Sequence, residues 1–320
     1  MKLAKRILTA ALALMLIFAM SAPGFALQTS GYVPTLNGLP YYIQNTNTNV
    51  YKVNGTFTVY LSIYSGMYDN NGPINTILPV SMGASGVFGA KYTVAQVLTA
   101  AQSQYPNVIA FDTTTPDPTH YHSSYLFGVE QTSVTPSVSY TALPLVSGSQ
   151  ICYSGWMFRI NGMIPFYTHT VGNETVTEGC LITDAYVTKN DVIDLYYDNM
   201  YTQSLATKVI AIAYLGTSNG NATFQVLGSE SYCNSLGQNW TVTNWAKVTN
   251  STMTVIIDGV STSVTTDNNG QFTTSSYSNG FHTIQFSSTM FSTAFTYNDG
   301  QTTHYYNVPN YVGMYCRFSA

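Results

Sequence analysis

Residues 57–63 read FTVYLSI and residues 93–106 read TVAQVLTAAQSQYP, and together they decide the architecture of the first half of the chain. In the first stretch every second side chain is apolar, which is the pattern of a strand with one buried face. In the second stretch apolar side chains recur at helical spacing. Thr93 begins this helix with Gln96 as its capping-box partner, and Pro106 ends it. Further strands are predicted at 156–160, 192–197 and 209–214, and one helix lying across several strands predicts an α+β domain.

The second half of the chain has a different pattern. Residues 217–222 are rich in Gly, Asn and Ser, which predicts a linker between domains at 51–216 and 223–320. After it, short apolar-alternating stretches are separated by dipeptides that favour the positive φ angles of hairpin turns. These dipeptides are Asp258-Gly259, Asn269-Gly270, Asn279-Gly280 and Asp299-Gly300. The predicted fold class is therefore mostly β: an α+β domain followed by an immunoglobulin-like β-sandwich.

Composition excludes two broad classes of protein. Of the 320 residues, 45% are hydrophobic and only 8% are charged, whereas an ordinary domain is about one-quarter charged. The apolar content is too high, and the net charge of −4 too small, for a disordered chain. With ten Lys and Arg in total, the chain lacks the basic clusters that bind nucleic acid, so no nucleic-acid partner is expected.

The first 50 residues predict export. Lys2, Lys5 and Arg6 precede an apolar run and then Gly24-Phe25-Ala26, the pattern of a cleaved signal peptide at 1–26. Residues 27–50 are polar and turn-rich, which predicts an exposed leader. No later stretch is long and apolar enough to insert in a membrane. The mature protein is expected to be secreted, either free or associated with the cell surface.

Four cysteines follow the predicted signal peptide: Cys152, Cys180, Cys233 and Cys316. An even number in an exported protein indicates disulfides, and four cysteines allow three pairings. Pairing within each predicted domain gives Cys152–Cys180 and Cys233–Cys316. The alternative is that some of them are small buried hydrophobic side chains.

Several short motifs occur in order in the first domain: Trp156 leading into Asn161-Gly162, then Glu178-Gly179, Tyr186, and Asn190-Asp191 before a closing strand. On these motifs the segment from about 51 to 215 resembles a family of exported bacterial domains, which is similar to the C-terminal β-grasp domain of transcobalamin and intrinsic factor. The long segment 105–151 departs from that family, and no helical barrel is present to form the other half of a cobalamin site. The second domain more weakly resembles the small β-sandwiches of bacterial surface proteins.

The resemblance implies a binding protein without enzymatic activity. Its ligand is a soluble small molecule, with a corrinoid as one candidate, and the implied site residues are Trp156, Phe158 and Tyr186. The opposing interpretation of Trp156 is a core residue packed against the helix. The alternative function is an adhesive or structural surface protein that contacts glycans or proteins through tyrosine-rich strands.

Catalysis and metal binding receive little support from the sequence. Asp117, His120 and His122 are the only cluster resembling a hydrolytic or metal site, and the prolines at 116 and 118 indicate an ordinary loop there. Asp267-Asn268-Asn269-Gly270 begins like a calcium loop but lacks the distal acid, so a hairpin turn is predicted instead. Neither catalytic nor metal-binding residues are expected, and no resident cofactor.

Overall fold

The computed structural model describes residues 36–65, 74–113, 126, 128–134, 137–141, 143–147, 150–199, 208–232, 241–287, 291–298, 303–309, 311–313 and 316–319. The predicted signal peptide lies outside these residues. The chain is mostly β, as predicted.

Among the described residues, the first half contains thirteen strands, one α-helix and one short 3-10 helix (Thr48–Tyr51). The helix α1 is Val94–Gln104. The strands are β1 (Tyr41–Ile43), β2 (Phe57–Tyr64), β3 (Asn75–Met82), β4 (Tyr92–Thr93), β5 (Ile109–Asp112), β6 (Gly128–Gln131), β7 (Val138–Thr141), β8 (Leu143–Ser147), β9 (Gln150–Ile160), β10 (Ile164–Val171), β11 (Glu174–Gly179), β12 (Tyr186–Val187) and β13 (Val192–Asn199).

In the described part of the second half there are twelve strands. They are β14 (Lys208–Ser218), β15 (Asn221–Tyr232), β16 (Thr241–Val242), β17 (Ala246–Lys247), β18 (Thr252–Ile257), β19 (Val260–Thr265), β20 (Gln271–Ser275), β21 (Phe281–Ser287), β22 (Phe291–Asn298), β23 (Thr303–Pro309), β24 (Tyr311–Gly313) and β25 (Cys316–Ser319).

A five-stranded mixed sheet organises the first half, in the order β3-β2-β13-β9-β8. The central pair β2 and β13 is parallel, and the other pairs are antiparallel. One face packs against α1, whose buried side chains are Val94, Val97, Leu98 and Ala101. The alternation of residues 57–63 places Phe57, Val59, Leu61 and Ile63 in this core, as the sequence predicts. The Thr93 N–H donates to Gln96 Oε1 at 2.9 Å, which confirms the predicted helix start.

Smaller sheets surround this one. Three strands pair as β1-β10-β11, two as β12-β4 and three as β5-β6-β7. Most of the described part of the predicted leader, residues 36–50, is exposed, but β1 pairs in parallel with β10 and Gln44 is buried. The Gln44 amide explains why this segment is held: it donates to the Asp184 carbonyl at 2.8 Å and accepts from the Tyr186 N–H at 2.9 Å.

Two larger sheets and one two-stranded sheet belong to the described part of the second half. The two larger sheets enclose its core. One contains β16-β15-β14-β24, with β17 and β20 also paired to β15, and the other has the order β19-β18-β21-β25. Their apolar faces enclose a second core that includes Phe224, Val255 and Phe286. Strands β22 and β23 pair with each other.

Residues 217–222, predicted as a linker, are instead the tip of the β14–β15 hairpin. Asn219 (φ 51°) and Gly220 (φ 76°) have the left-handed backbone of its turn. The composition that signals a flexible linker is the same composition that a tight hairpin turn requires, so local sequence does not separate the two. Among the described residues, no helix is long and apolar enough to cross a membrane.

Candidate functional site

An apolar cavity of about 190 Å³ lies beside the five-stranded sheet. On one side are Trp156 and Phe158 of β9 with Leu195 of β13, which face the α1 core by strand alternation. On the other side are the first residues of β10 and the segment that follows β11. The described residues that line the cavity are Leu126, Trp156, Met157, Phe158, Ile164, Pro165, Gly179, Cys180, Leu181, Ile182 and Leu195.

The walls of the cavity are positioned by regular backbone pairing. Trp156 is opposite Tyr197 and Phe158 is opposite Leu195 across the antiparallel β9–β13 pair. The Trp156 ring meets the Tyr197 ring edge-on, with centroids 5.4 Å apart. The Cys180 N–H donates to the Pro165 carbonyl at 2.8 Å, which holds the opposite wall in place. The walls are thus fixed without help from a ligand.

The core interpretation of Trp156 is confirmed, and its role in ligand binding stays a prediction. Its side chain is only 3% exposed and belongs to the core, yet it also forms part of the cavity wall. Phe158, half-buried, lines the same cavity. Two of the three residues predicted to bind a ligand therefore lie together.

Tyr186, the third predicted residue, lies elsewhere. Its ring stacks on Tyr51 with centroids 5.3 Å apart, and the Lys91 ammonium lies 5.5 Å from its ring centre. Tyr186 is not among the residues that line the cavity. The separation arises because Tyr186 is on β12, which pairs with β4 at the start of α1 instead of with the five-stranded sheet.

Among the described lining residues, the side chains with a heteroatom are Cys180, Trp156 with its indole nitrogen and Met157 with its sulfur. Burial, followed by the negative charge of Asp184, raises the pKa of the Cys180 thiol to about 12. The thiol is therefore uncharged at neutral pH, and none of the described lining residues carries a charge. Since only the thiolate is a strong nucleophile, this cysteine is unsuited to covalent catalysis.

The predicted Cys152–Cys180 disulfide is absent, because Cys180 is a free thiol. Cys152 lies near the start of β9. The Cys180 N–H, by contrast, donates a hydrogen bond to the Pro165 carbonyl, which lies close to the end of β9. A strand rises about 3.3 Å per residue, so the two cysteines are farther apart than a disulfide allows. Cys233 lies outside the described residues, and the predicted Cys233–Cys316 pairing stays a prediction.

Asp117, His120 and His122 lie outside the described residues. Within the part of the chain that the structure describes, no group of three or more His, Cys, Asp or Glu side chains is placed to hold a metal ion.

The opposite face of the five-stranded sheet holds a feature that the sequence analysis did not identify. Arg159 of β9 is fully buried there, with its guanidinium carbon 5.7 Å from the Tyr196 ring centre and 5.4 Å from that of Trp245. Trp245 belongs to the second half of the chain, so the two halves meet around this arginine. The sequence contains one signal for this buried arginine. Arg159 directly follows Phe158 in a strand, and neighbouring strand residues point to opposite faces, so Arg159 lies on the face opposite Trp156 and Phe158.

No protein-family model, curated protein or solved structure matches this chain. The resemblance to the transcobalamin-like family therefore stays a prediction.

Proposed function

We propose that this chain is an exported, non-enzymatic binding protein whose first half holds a small, uncharged, apolar ligand in the Trp156 cavity. The observation that carries the proposal is the cavity itself: about 190 Å³ of space with aromatic and aliphatic walls and no charged lining residue. Ligand sites are typically concave, mostly apolar and largely formed before the ligand arrives.

The size of the cavity limits the ligand. Most pockets for drug-sized molecules measure roughly 300–1,000 Å³, and an apolar cavity of about 150 Å³ accepts benzene. A single-ring aromatic or a short branched hydrocarbon therefore matches the Trp156 cavity. A corrin ring is much too large to enter, so a corrinoid would need a larger surface than this one.

The topology of the first half supports the β-grasp-like fold that the sequence resemblance predicts. A β-hairpin (β2–β3), a crossing helix and a return strand parallel to β2 give the order β3-β2-β13-β9 in the central sheet. The turn motif Asn161-Gly162 has a structural explanation beside this sheet, because it joins β9 to β10. The binding role rests on the cavity alone.

Methyl resonances provide the direct test of the Trp156 cavity. Toluene and indole are titrated into the purified protein while methyl ¹H–¹³C spectra are recorded. We expect saturable shifts at Ile164, Ile182 and Leu195, which line the cavity, and none at Ile210 or Val226 of the second core. Cobalamin and cobinamide are tested in parallel by co-elution in gel filtration.

Two substitutions at one position provide the matched control. Cys180→Met extends a longer side chain into the cavity and is expected to weaken toluene binding by about tenfold or more, whereas Cys180→Ala leaves the space open and retains binding. Equal affinity in both variants, or no shift with either probe, would refute the cavity as a ligand site. Cobalamin co-elution would show a larger binding surface and favour a corrinoid ligand instead.

A further inference from the structure

A second concave site lies in the other half of the chain, between strands β19 and β20. These strands follow one another in sequence but belong to different sheets: β19 pairs with β18, and β20 pairs with β15. Between them is a cleft of about 420 Å³, lined by residues 262–265 and 272–275 and by Tyr277. The turn at 267–270, predicted as a hairpin, thus connects two different sheets.

Hydrogen bonds hold the turn at 267–270, which joins β19 to β20. Asp267 Oδ1 accepts from the N–H groups of Asn269 and Gln271 at 2.7 and 2.9 Å. The Gly270 N–H donates to the Asp267 carbonyl at 3.0 Å. The turn therefore fixes one end of β19 and of β20. Pairing with β18 and with β15 fixes the rest of each strand.

The lining of the cleft is uncharged and rich in hydroxyl groups. Of the nine described lining side chains seven carry a hydroxyl, and none belongs to Asp, Glu, His, Lys or Arg. The two without one, Val264 and Phe272, are only 8% and 4% exposed, so a ligand meets mainly hydroxyls and backbone. Among the described residues, the hydroxyls of Thr262, Ser263 and Thr273 make no hydrogen bond to the protein and are open to a ligand.

These properties favour a carbohydrate over a peptide. A hydroxyl both donates and accepts hydrogen bonds, as do the hydroxyls of a sugar. Peptides that add to a strand edge obtain specificity from apolar pockets for alternate side chains, and the buried Val264 and Phe272 leave no such pocket here. The absence of charge in the lining excludes an ionic contact with an acidic or basic ligand.

We propose that the β19–β20 cleft is a binding site for neutral carbohydrate. This site is separate from the Trp156 cavity and does not depend on it. A glycan-binding cleft would give the second half of the chain the contact surface that an adhesive surface protein requires.

The test uses defined neutral oligosaccharides, namely maltohexaose, cellohexaose and chitohexaose, titrated into the full protein by calorimetry. We expect at least one of them to bind, with an affinity that is unchanged between low and high salt because no charges take part. The double variant Thr262→Val/Thr273→Val removes two hydroxyls while keeping β-branched side chains, and should weaken binding by about tenfold.

Thr254→Val provides the matched control, because Thr254 is on β18 of the same sheet and does not line the cleft. It should bind as the wild type does. Binding to none of the three sugars, or equal binding in the double variant, would overturn the proposal. Binding of the extended peptide Ac-VSTSVT-NH₂ with no sugar bound would also overturn it, and would identify the cleft as a strand-docking edge.

Discussion

At the residue scale, Asn161 shows how one side chain holds the turn after β9. Its φ of 52° is in the left-handed region, where Asn and Gly are favoured over other residues. Its amide donates to Asp191 Oδ1 at 2.8 Å and accepts from the Val192 N–H at 2.9 Å. Asp191 Oδ2 in turn accepts from the Thr188 N–H at 2.6 Å. Asn161 therefore joins the β9 turn to the start of β13.

Replacing Asn161 should separate its backbone role from its side-chain role. We expect Asn161→Gly to lower the free energy of unfolding by about 2 kcal/mol, because the left-handed backbone is retained but two hydrogen bonds in a partly buried network are lost. Asn161→Ala should lower the free energy of unfolding by about 1 kcal/mol more than Asn161→Gly, because a positive φ is strained for alanine. Urea denaturation measures both.

Asn219 provides the control for this prediction. It has a φ of 51° at the exposed tip of the β14–β15 hairpin. Asn219→Gly should change stability by no more than a few tenths of a kcal/mol. If Asn161→Gly were equally neutral, the network with Asp191 would contribute nothing to folding.

At the scale of elements, His282 and Asp258 fasten β21 to the β18–β19 turn. The His282 Nδ1 lies 2.6 Å from Asp258 Oδ2, and its Nε2 lies 2.8 Å from the Ser278 carbonyl oxygen. Both neighbours accept hydrogen bonds, so a protonated imidazole fits this position. Its ring also stacks on Phe318 of β25, with centroids 5.3 Å apart.

The pKa values of the pair move in opposite directions. Burial alone would lower the pKa of His282, but the bonds to Asp258 and Ser278 outweigh it and raise that pKa above its usual value. Burial alone would raise the pKa of Asp258, but hydrogen bonds from Thr283 and His282 outweigh it and lower that pKa. Folding therefore favours the charged form of each group.

This pair predicts a stability maximum in mildly acidic solution. The His282 contribution is complete below its unfolded pKa of about 6.5 and is lost as pH rises through the higher folded pKa. The Asp258 contribution is present above its unfolded pKa of about 3.9 and is lost as pH falls through the lower folded pKa. At pH 5.5, His282→Gln should lower the free energy of unfolding by about 1 kcal/mol. The value is small because the Asp258 side chain is 43% exposed and solvent screens its charge.

The measurement is urea denaturation of wild type, His282→Gln, Asp258→Asn and the double variant at pH 5.5 and 8.5. The coupling between the two substitutions should be larger at pH 5.5. The same coupling at both pH values would show that the charge on His282 has no part in it.

At the scale of the whole molecule, the two halves share a buried layer. Tyr64 and Tyr196 of the five-stranded sheet pack with Val209, Ala211 and Leu227 of β14 and β15, and with Trp245. The Trp245 carbonyl also accepts a hydrogen bond at 2.9 Å from the N–H of Asn37, which lies in the segment before β1. Because this layer is as buried as the two cores, we expect the halves to unfold together.

Scanning calorimetry tests this coupling. The wild type should give a single transition. Trp245→Ala should cost about 3–5 kcal/mol and split the transition in two, because it removes the largest fully buried side chain of the layer and the ring over Arg159. Trp245→Phe keeps an aromatic ring there and should retain one transition. Two separate transitions in the wild type would show that the halves are energetically independent.

Much of the local structure is predictable from sequence. The strand at 57–63 and the helix after Thr93 are confirmed. Each has an apolar stripe at the period of its element, and the helix also has a capping box at its start. The turn at Asp258-Gly259 is confirmed, with φ angles of 49° and 81° that these residue types accommodate. By contrast, 217–222 and 267–270 are turns whose sequence does not reveal which strands they join.

The sequence by itself determined the mostly-β class, the helix after Thr93 and the choice of Trp156 and Phe158 as aromatic site candidates. These features depend on the spacing of apolar residues and on turn residues, which act over a few neighbouring positions. Only the tertiary structure decided that Cys180 and not Tyr186 joins Trp156 at the cavity, that Arg159 lies between the halves, and that β19 and β20 separate into a cleft. These arrangements depend on strand pairing between residues distant in the chain, which local side-chain patterns do not specify.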